Sequence, residues 1–259
     1  MHNCGMTRTL LTADAFLLSW AEGVLGEALR RSPLLDARPY EIFGQGSRVN
    51  NTAIEHVSDI DLVLMLKLPA DRYRWADFRD DVLAVLGESY TVRMGRRCVN
   101  VDDPDSLFGE RVDILVATEY RLPTADGYEQ GVFFRDREGR PIVNFPKQHR
   151  RNGDEKDLRT GGRFKEVVRA AKRARRPADV GAAPSYLLEC LLYNVPDEVY
   201  LTGPAYHGAL DWLRRCHRDD PATFAGLLCQ NGINRIFGPG PDQWAPAAAG
   251  RIVDVLHAI

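Results

Sequence analysis

The run Ser58-Asp59-Ile60-Asp61-Leu62-Val63-Leu64-Met65-Leu66 constrains this chain more than any other stretch, because it joins two carboxylates to an uninterrupted apolar segment of strong β preference. Side chains alternate along a strand, so Asp59 and Asp61 share one face while Ile60, Leu62, Leu64 and Leu66 line the opposite one. Two carboxylates held that close raise one another's pKa unless a cation neutralises them, and a hard divalent ion such as Mg²⁺ binds oxygen ligands of this kind. Taken alone, the Asp-x-Asp reads first as a solvated strand end.

Two further features shift that balance. Upstream, a strand candidate Tyr40 to Phe43 runs into Gly44-Gln45-Gly46-Ser47, where a glycine lets backbone N–H groups approach an anion and a hydroxyl adds a donor. Downstream, Arg111-Val112-Asp113-Ile114-Leu115-Val116 is a strand with one acid among apolar neighbours, costly if buried without a partner. A metal would remove that cost. Rival chemistries lack their signatures: there is no Gly-x4-Gly-Lys-Ser/Thr loop, no His-Glu-x-x-His and no Gly-x-Ser-x-Gly.

Around these motifs the pattern predicts a helix from Thr12 to about Arg31, with Phe16, Leu17, Trp20, Val24 and Leu25 at helical spacing. A second amphipathic helix between Pro69 and Gly87 carries Trp75, Phe78, Val82 and Leu86. Strands are expected at Tyr90 to Met94, Cys98 to Val101 and Arg111 to Ala117, then an irregular stretch or hairpin around Glu138-Gly139-Arg140. Beyond Pro146 everything reads as polar loop or helix: Thr160 to Arg176, Ser185 to Asn194, Pro204 to Arg218, and Pro246 to Ala258 with Ile252, Val253, Leu256 and Ile259 as its buried stripe. The order predicts an α+β chain of two lobes, 1–145 and 146–259, the first a mixed sheet with flanking helices and the second helical.

Composition agrees with a globular chain of 259 residues, 44% hydrophobic and 27% charged. Five cysteines, never in a Cys-x-x-Cys pair, fit reduced thiols. With no signal peptide and no apolar run long enough to span a bilayer, a cytoplasmic protein without a membrane partner is expected. The formal charge of −2 hides an asymmetry. Arg135 to Arg176 holds 15 Lys plus Arg against 6 Asp plus Glu, a local +9, leaving −11 on the rest. Most of Arg150, Arg151, Arg173, Arg175 and Arg176 read as a solvated face. Lys165, Arg169 and Lys172 share neighbouring turns of one face, where a triphosphate would find compensation. His149, with no partner at catalytic or metal spacing, reads as a surface histidine.

The segment Gly46-Ser47-Arg48-Val49-Asn50-Asn51-Thr52-Ala53-Ile54, followed by Ser58-Asp59-Ile60-Asp61-Leu62 and the later Val112-Asp113-Ile114, resembles the signature of the polymerase-β-type nucleotidyltransferase superfamily. It is most similar to the oligoadenylate synthetase and cyclic GMP-AMP synthase group, which includes the bacterial CD-NTases of antiphage signalling. The resemblance implies a bilobed nucleotidyltransferase fold. It implies that Asp59, Asp61 and Asp113 hold two Mg²⁺ ions, with Mn²⁺ as an alternative, and that Gly46 and Ser47 grip the triphosphate. It further implies that Lys172 meets a phosphate and that the pair Ser185-Tyr186 lies against the nucleotide, hydroxyl to phosphate and ring to base. Without the resemblance, Ser185 reads equally well as a helix N-cap after Pro184, and Tyr186 as a core or boundary aromatic. Where the family usually has Gly-Thr after the loop, this chain has Asn51-Thr52; asparagine is the non-glycine residue best suited to a left-handed turn.

The expected activity is transfer of a nucleotide from a nucleoside triphosphate to the hydroxyl of another nucleotide, giving a cyclic or short linear oligonucleotide messenger and pyrophosphate. Nucleoside triphosphates are the expected partners, with an activating ligand or nucleic acid as a further candidate. Two other readings stand beside it: transfer to tRNA, a protein or an aminoglycoside, and a nucleotide- or RNA-binding module without catalysis. The presence of all three acidic positions argues against the last.

Overall fold

The computed structural model describes residues 18–19, 21–35, 37–54, 59–102, 112–175 and 183–259. Cys4, Thr12, Phe16, Leu17, Trp20, Ser58, Arg111 and Arg176 lie outside the described residues. The chain divides into two compact units, Met1–Asn51 with Glu55–Asn144, and Thr52–Ile54 with Phe145–Ile259.

In the first unit a helix at residues 21–30 (α1) precedes β1 (Tyr40–Gly44), the one-turn α2 (Gly46–Val49), β2 (Ile60–Pro69) and α3 (Trp75–Gly87). Then come β3 (Thr91–Met94), β4 (Val99–Asp102), β5 (Val112–Thr124), β6 (Gly127–Arg135) and β7 (Pro141–Asn144). They form one seven-stranded mixed sheet of order β1-β2-β5-β4-β3, with β6 pairing β5 and β7. Among the described residues, the strand pair β2–β5 is parallel and the other named pairs are antiparallel.

The apolar run of β2 is buried on both faces. Ile60, Leu62, Leu64 and Leu66 pack with Ala21, Leu25 and Leu29 of α1 and Phe78, Val82 and Leu86 of α3. Val63 and Met65 pack with Trp75, Leu115, Val132 and Phe134. Each fully buried side chain of this kind contributes about 1.5–3 kcal/mol, so β2 is anchored firmly on both sides of Asp61.

Two elements run further than expected. β5 continues past Ala117 to Thr124 and turns back through Gly127, pairing Thr118 to Thr124 with β6. The hairpin around residues 136–140 forms as β6 and β7, its turn closed by Asp136, whose Oδ1 accepts from the Arg140 backbone N–H at 2.8 Å while Oδ2 pairs with the guanidinium at 2.7 Å.

The described residues of the second unit are mainly helical: α4 (Pro146–Arg159), α5 (Arg163–Arg175), α6 (Ser185–Tyr193), α7 (Asp197–Leu201), α8 (Ala205–Asp219), α9 (Pro221–Ala225) and α10 (Pro246–His257). Its core joins Phe164, Val167, Val168 and Ala171 to Leu187, Leu188, Leu191 and Leu192, then to Leu210, Leu213, Ile252, Val253 and Leu256. Ile259, expected on the buried stripe, is 61% exposed, because α10 ends at His257.

α4 has no apolar stripe, and the residues it buries are Gln148, His149, Gly153 and Lys156. A Cβ at Gly153 would lie 2.3 Å from the Gln230 amide nitrogen, so glycine lets that side chain lie against the helix and donate to the His149 carbonyl at 2.8 Å. Among the described residues, no helix is long and apolar enough to cross a membrane, and Cys98, Cys190, Cys216 and Cys229 form no disulfide.

Candidate active site

The parallel pairing of β2 with β5 places Asp61 directly opposite Asp113, about 4.8 Å apart along the sheet. Asn100 on β4 lies opposite Asp113 on its other side and donates its amide to Oδ1 at 2.6 Å, fixing that carboxylate. Asp59 lies one residue before β2 and is exposed.

Gly46 comes against these acids through the backbone. One step beyond the last β1–β2 pair, the Gln45 N–H donates to the Asp61 carbonyl at 2.9 Å. Gly46 follows with φ +76°, and a Cβ there would lie 2.1 Å from Asp61 Oδ2. Glycine is thus required twice, for the left-handed backbone and for the space. Ser47 is the next residue, half-buried in the single turn of α2. That turn ends at Asn50, and Asn51 takes φ +54°, the left-handed conformation for which asparagine is suited.

Gly46, Asp61 and Asp113 are therefore brought together, with Asp59 and Ser47 their neighbours along the chain. For a divalent metal the donor chemistry fits: hard carboxylate oxygens, two of them in register on adjacent strands, beside a glycine that leaves no side chain in the way. As they stand, no three His, Cys, Asp or Glu side chains among the described residues converge as a ligand set.

Lys172, Ser185 and Tyr186 lie in the second unit. Where the resemblance implies a phosphate contact for Lys172, the structure buries it to 2% exposure and gives its ammonium three internal acceptors. These are Glu189 Oε1 at 2.5 Å, Thr52 Oγ1 at 2.9 Å and the Thr52 carbonyl at 3.1 Å, one for each N–H. Thr52 Oγ1 in turn donates to Glu189 Oε1 at 2.7 Å. The other oxygen of Glu189 meets His149 Nε2 at 2.9 Å.

His149 is therefore not the surface residue expected but 4% exposed and stacked on Tyr186, ring centroids 5.1 Å apart and 19° between planes. Burial works to raise the Glu189 carboxyl's pKa, but the bonds and charges of His149 and Lys172 outweigh it and hold it well below the usual carboxylate range. Burial pushes the Tyr186 phenol well above its ordinary value, so it stays protonated. Ser185 is the first helical residue of α6, with Pro184 at the N-cap position and no side-chain cap bond, so it is not the cap that the sequence allowed. Lys165, expected to share one face with Arg169 and Lys172, is buried and paired with Asp154.

The residues that sequence reasoning missed are Asn100, Thr52, His149 and Glu189. One signal for Glu189 exists: it is a single acid inside Leu187-Leu188-Glu189-Cys190-Leu191-Leu192, the same pattern that singles out Asp113.

Comparison with known proteins gives this arrangement its context. Residues 151–259 match the model of the cGAS/DncV-like nucleotidyltransferase C-terminal helical domain. A cyclic UMP-AMP synthase from Rhodothermus marinus is 33% identical over 245 residues, 82% of either chain. A cyclic dipyrimidine nucleotide synthase from Cecembia lonarensis is 32% identical over 207 residues, 69% of either chain. The solved structure of the Rhodothermus marinus CdnE c-UMP-AMP synthase with Apcpp and Upnpp superposes with a TM-score of 0.76 at 32% identity, covering 92% of this chain and 89% of that one. With a bilobed α+β fold, opposed aspartates on β2 and β5 and a third of its residues shared with such a synthase, the chain belongs to the cGAS/DncV-like nucleotidyltransferases, the bacterial CD-NTases, and is a nucleotidyltransferase enzyme.

Proposed function

We propose that this enzyme joins two nucleoside triphosphates into a cyclic dinucleotide, releasing pyrophosphate at each transfer, as part of an antiphage signalling system. The observation that carries the reading is the register of Asp61 against Asp113 with Gly46 closed onto Asp61. Two like charges directly opposite on neighbouring strands are unfavourable for the fold alone, so their placement points to cation chemistry.

Asp59, Asp61 and Asp113 are the residues that would hold Mg²⁺. When bound, such ions lower the pKa of an attacking hydroxyl and neutralise the leaving pyrophosphate. The chain's own contributions are separable from that. Asn100 holds the Asp113 carboxylate by one oxygen and so sets which way the other faces. Gly46 and Ser47 offer a backbone turn and a hydroxyl to the triphosphate, with φ +76° at Gly46 aiming the turn. Tyr186, held parallel to His149, offers a ring to a base, and Ser185 one turn before Glu189 offers a hydroxyl. Two of the similar proteins, from Rhodothermus marinus and Cecembia lonarensis, make products containing pyrimidines, so UTP and CTP belong in the first substrate set.

The test is incubation of the purified protein with all four ribonucleoside triphosphates and Mg²⁺ or Mn²⁺, followed by alkaline phosphatase and mass spectrometry. A phosphatase-resistant cyclic dinucleotide that disappears with Asp61→Asn supports the reading. Pyrophosphate release without any nucleotide-to-nucleotide bond, even with activating ligands supplied, overturns the cyclic product.

A further inference from the structure

β4 carries a polar residue that its pattern does not call for. Val99, Asn100 and Val101 are all buried, and asparagine is among the residues least favoured in a strand. A buried amide without a partner is costly, so its placement needs a reason. The register supplies one. Residues directly opposite on paired strands share a face, and Asp61, Asp113 and Asn100 stand opposite one another in turn across β2, β5 and β4. The row of two acids therefore ends on an amide, which donates to Asp113 Oδ1 at 2.6 Å.

That amide has little freedom to do anything else. An ionised carboxylate only accepts, so the Asn100 nitrogen must face Asp113 and its oxygen must face away. On the far side stands Gly95, in a β3–β4 turn closed by its own N–H on the Cys98 carbonyl at 2.8 Å. A Cβ at Gly95 would lie 2.8 Å from Asn100 Oδ1 and 3.0 Å from the Cys98 carbonyl oxygen. Glycine leaves room for the amide, and the turn backs it against the carboxylate.

We propose that Asn100 is a positioning residue that sets which divalent ion the site prefers, by holding Asp113 to coordination through one oxygen. The inference rests on the reading of Asp59, Asp61 and Asp113 as the metal-holding residues. Mg²⁺ demands near-octahedral geometry and keeps several waters, which carboxylates offering one oxygen each satisfy; Ca²⁺ takes more oxygens at longer distance and readily accepts both from one carboxylate. For Asp113 to offer both, Oδ1 must give up its bond to Asn100, and hydrogen bonds to an ionised acceptor are the stronger kind. Asn100 thus places a cost on calcium that it does not place on magnesium, and it acts only through Asp113.

The experiment compares the parent with Asn100→Leu, similar in size but without the donor, folding being checked by circular dichroism. Bound Mn²⁺ is followed by electron paramagnetic resonance, with and without a non-hydrolysable ATP analogue, and displaced by Mg²⁺ or by Ca²⁺ to give a Kd for each ion. The ratio of the Ca²⁺ Kd to the Mg²⁺ Kd is expected to fall about 10-fold in Asn100→Leu, in the range seen when an outer partner of a metal ligand is lost. Calcium should then inhibit magnesium-supported pyrophosphate release at correspondingly lower concentration. A merely structural role for Asn100 would weaken both ions together and leave the ratio where it was.

An unchanged or rising ratio in Asn100→Leu overturns the proposal, whatever happens to activity. If that variant does not fold, Asn100→Ala is read against the same ratio. A parent protein that binds none of the three ions, with or without the analogue, sinks the metal reading of the aspartates instead; a parent that binds them while the ratio stays fixed in the variants sinks only the role of Asn100.

Discussion

The two units treat the same functional group in opposite ways. In the first, Asp61 and Asp113 are half-buried and face one another across one strand spacing, with an asparagine amide on Asp113. In the second, Glu189 is buried and meets the ammonium of Lys172 and the ring of His149. A carboxylate placed against another carboxylate keeps its appetite for an external cation; one placed against an ammonium has that appetite satisfied by the fold. The first arrangement suits chemistry on a substrate, the second suits holding the chain in place.

The sharpest way to break this contrast is to remove one charge from each side. Asp61→Asn and Asp113→Asn are expected to lower pyrophosphate release by more than about 100-fold, since even partners one step removed from metal ligands cost 10–100-fold. Thermal melts of both variants should stay at or above the parent, because a like-charge pair is relieved. Glu189→Ala should do the reverse to stability, costing about 3–5 kcal/mol in urea unfolding by leaving Lys172 buried without its counterion. Glu189→Leu combined with Lys172→Met should recover most of that loss, and a double variant as unstable as Glu189→Ala would refute the ion-pair account.

Acid should separate the two sites by a smaller margin. The Glu189 carboxyl is held below its unfolded value of 4.5, so its stabilising contribution is complete above about pH 4.5 and is lost as pH falls from there through the folded value. Lys172, His149 and Thr52 are the groups facing it. Urea midpoints measured at pH 7 and pH 4 should fall in the parent and fall less in the Leu/Met double variant. The smallest effect is Asn51→Gly: with φ already at +54°, glycine relieves strain in the folded chain while loosening the unfolded one, and stability should change by less than about 1 kcal/mol. A large loss would mean that the asparagine side chain, not its backbone, is what the turn requires.

How much of this was legible in the sequence follows from what kind of force placed each residue. Apolar patterning marked β2, α3 and α5 because burial at fixed period leaves a trace in the sequence, and Trp75, Phe78, Val82 and Leu86 are all buried as the spacing requires. The left-handed Asn51 was readable because few residues tolerate that backbone. α4 was not readable as a packed helix, since it buries Gln148, His149 and Lys156 through hydrogen bonds rather than through an apolar stripe. The same blindness hid His149 and misread Lys165: periodicity reports hydrophobic contact, whereas a buried polar side chain is placed by partners far away in the chain, Glu189 being 40 residues from His149. The length of β5 escaped for a related reason, because Glu119 to Thr124 are held by pairing with β6 and not by a core of their own.

The close approach of Gly46 to Asp61 reaches beyond the site's geometry to how the chain can drift over generations. A methyl group at position 46 would have to occupy the place of an Asp61 oxygen, so the two positions are not free to vary separately. Any lineage that loses the glycine must first lose or displace the aspartate. Gly46 therefore records, in a position with no side chain, whether a descendant of this chain has kept its acid: a homologue with any other residue there should be expected to have lost or displaced the aspartate that stands at position 61 here.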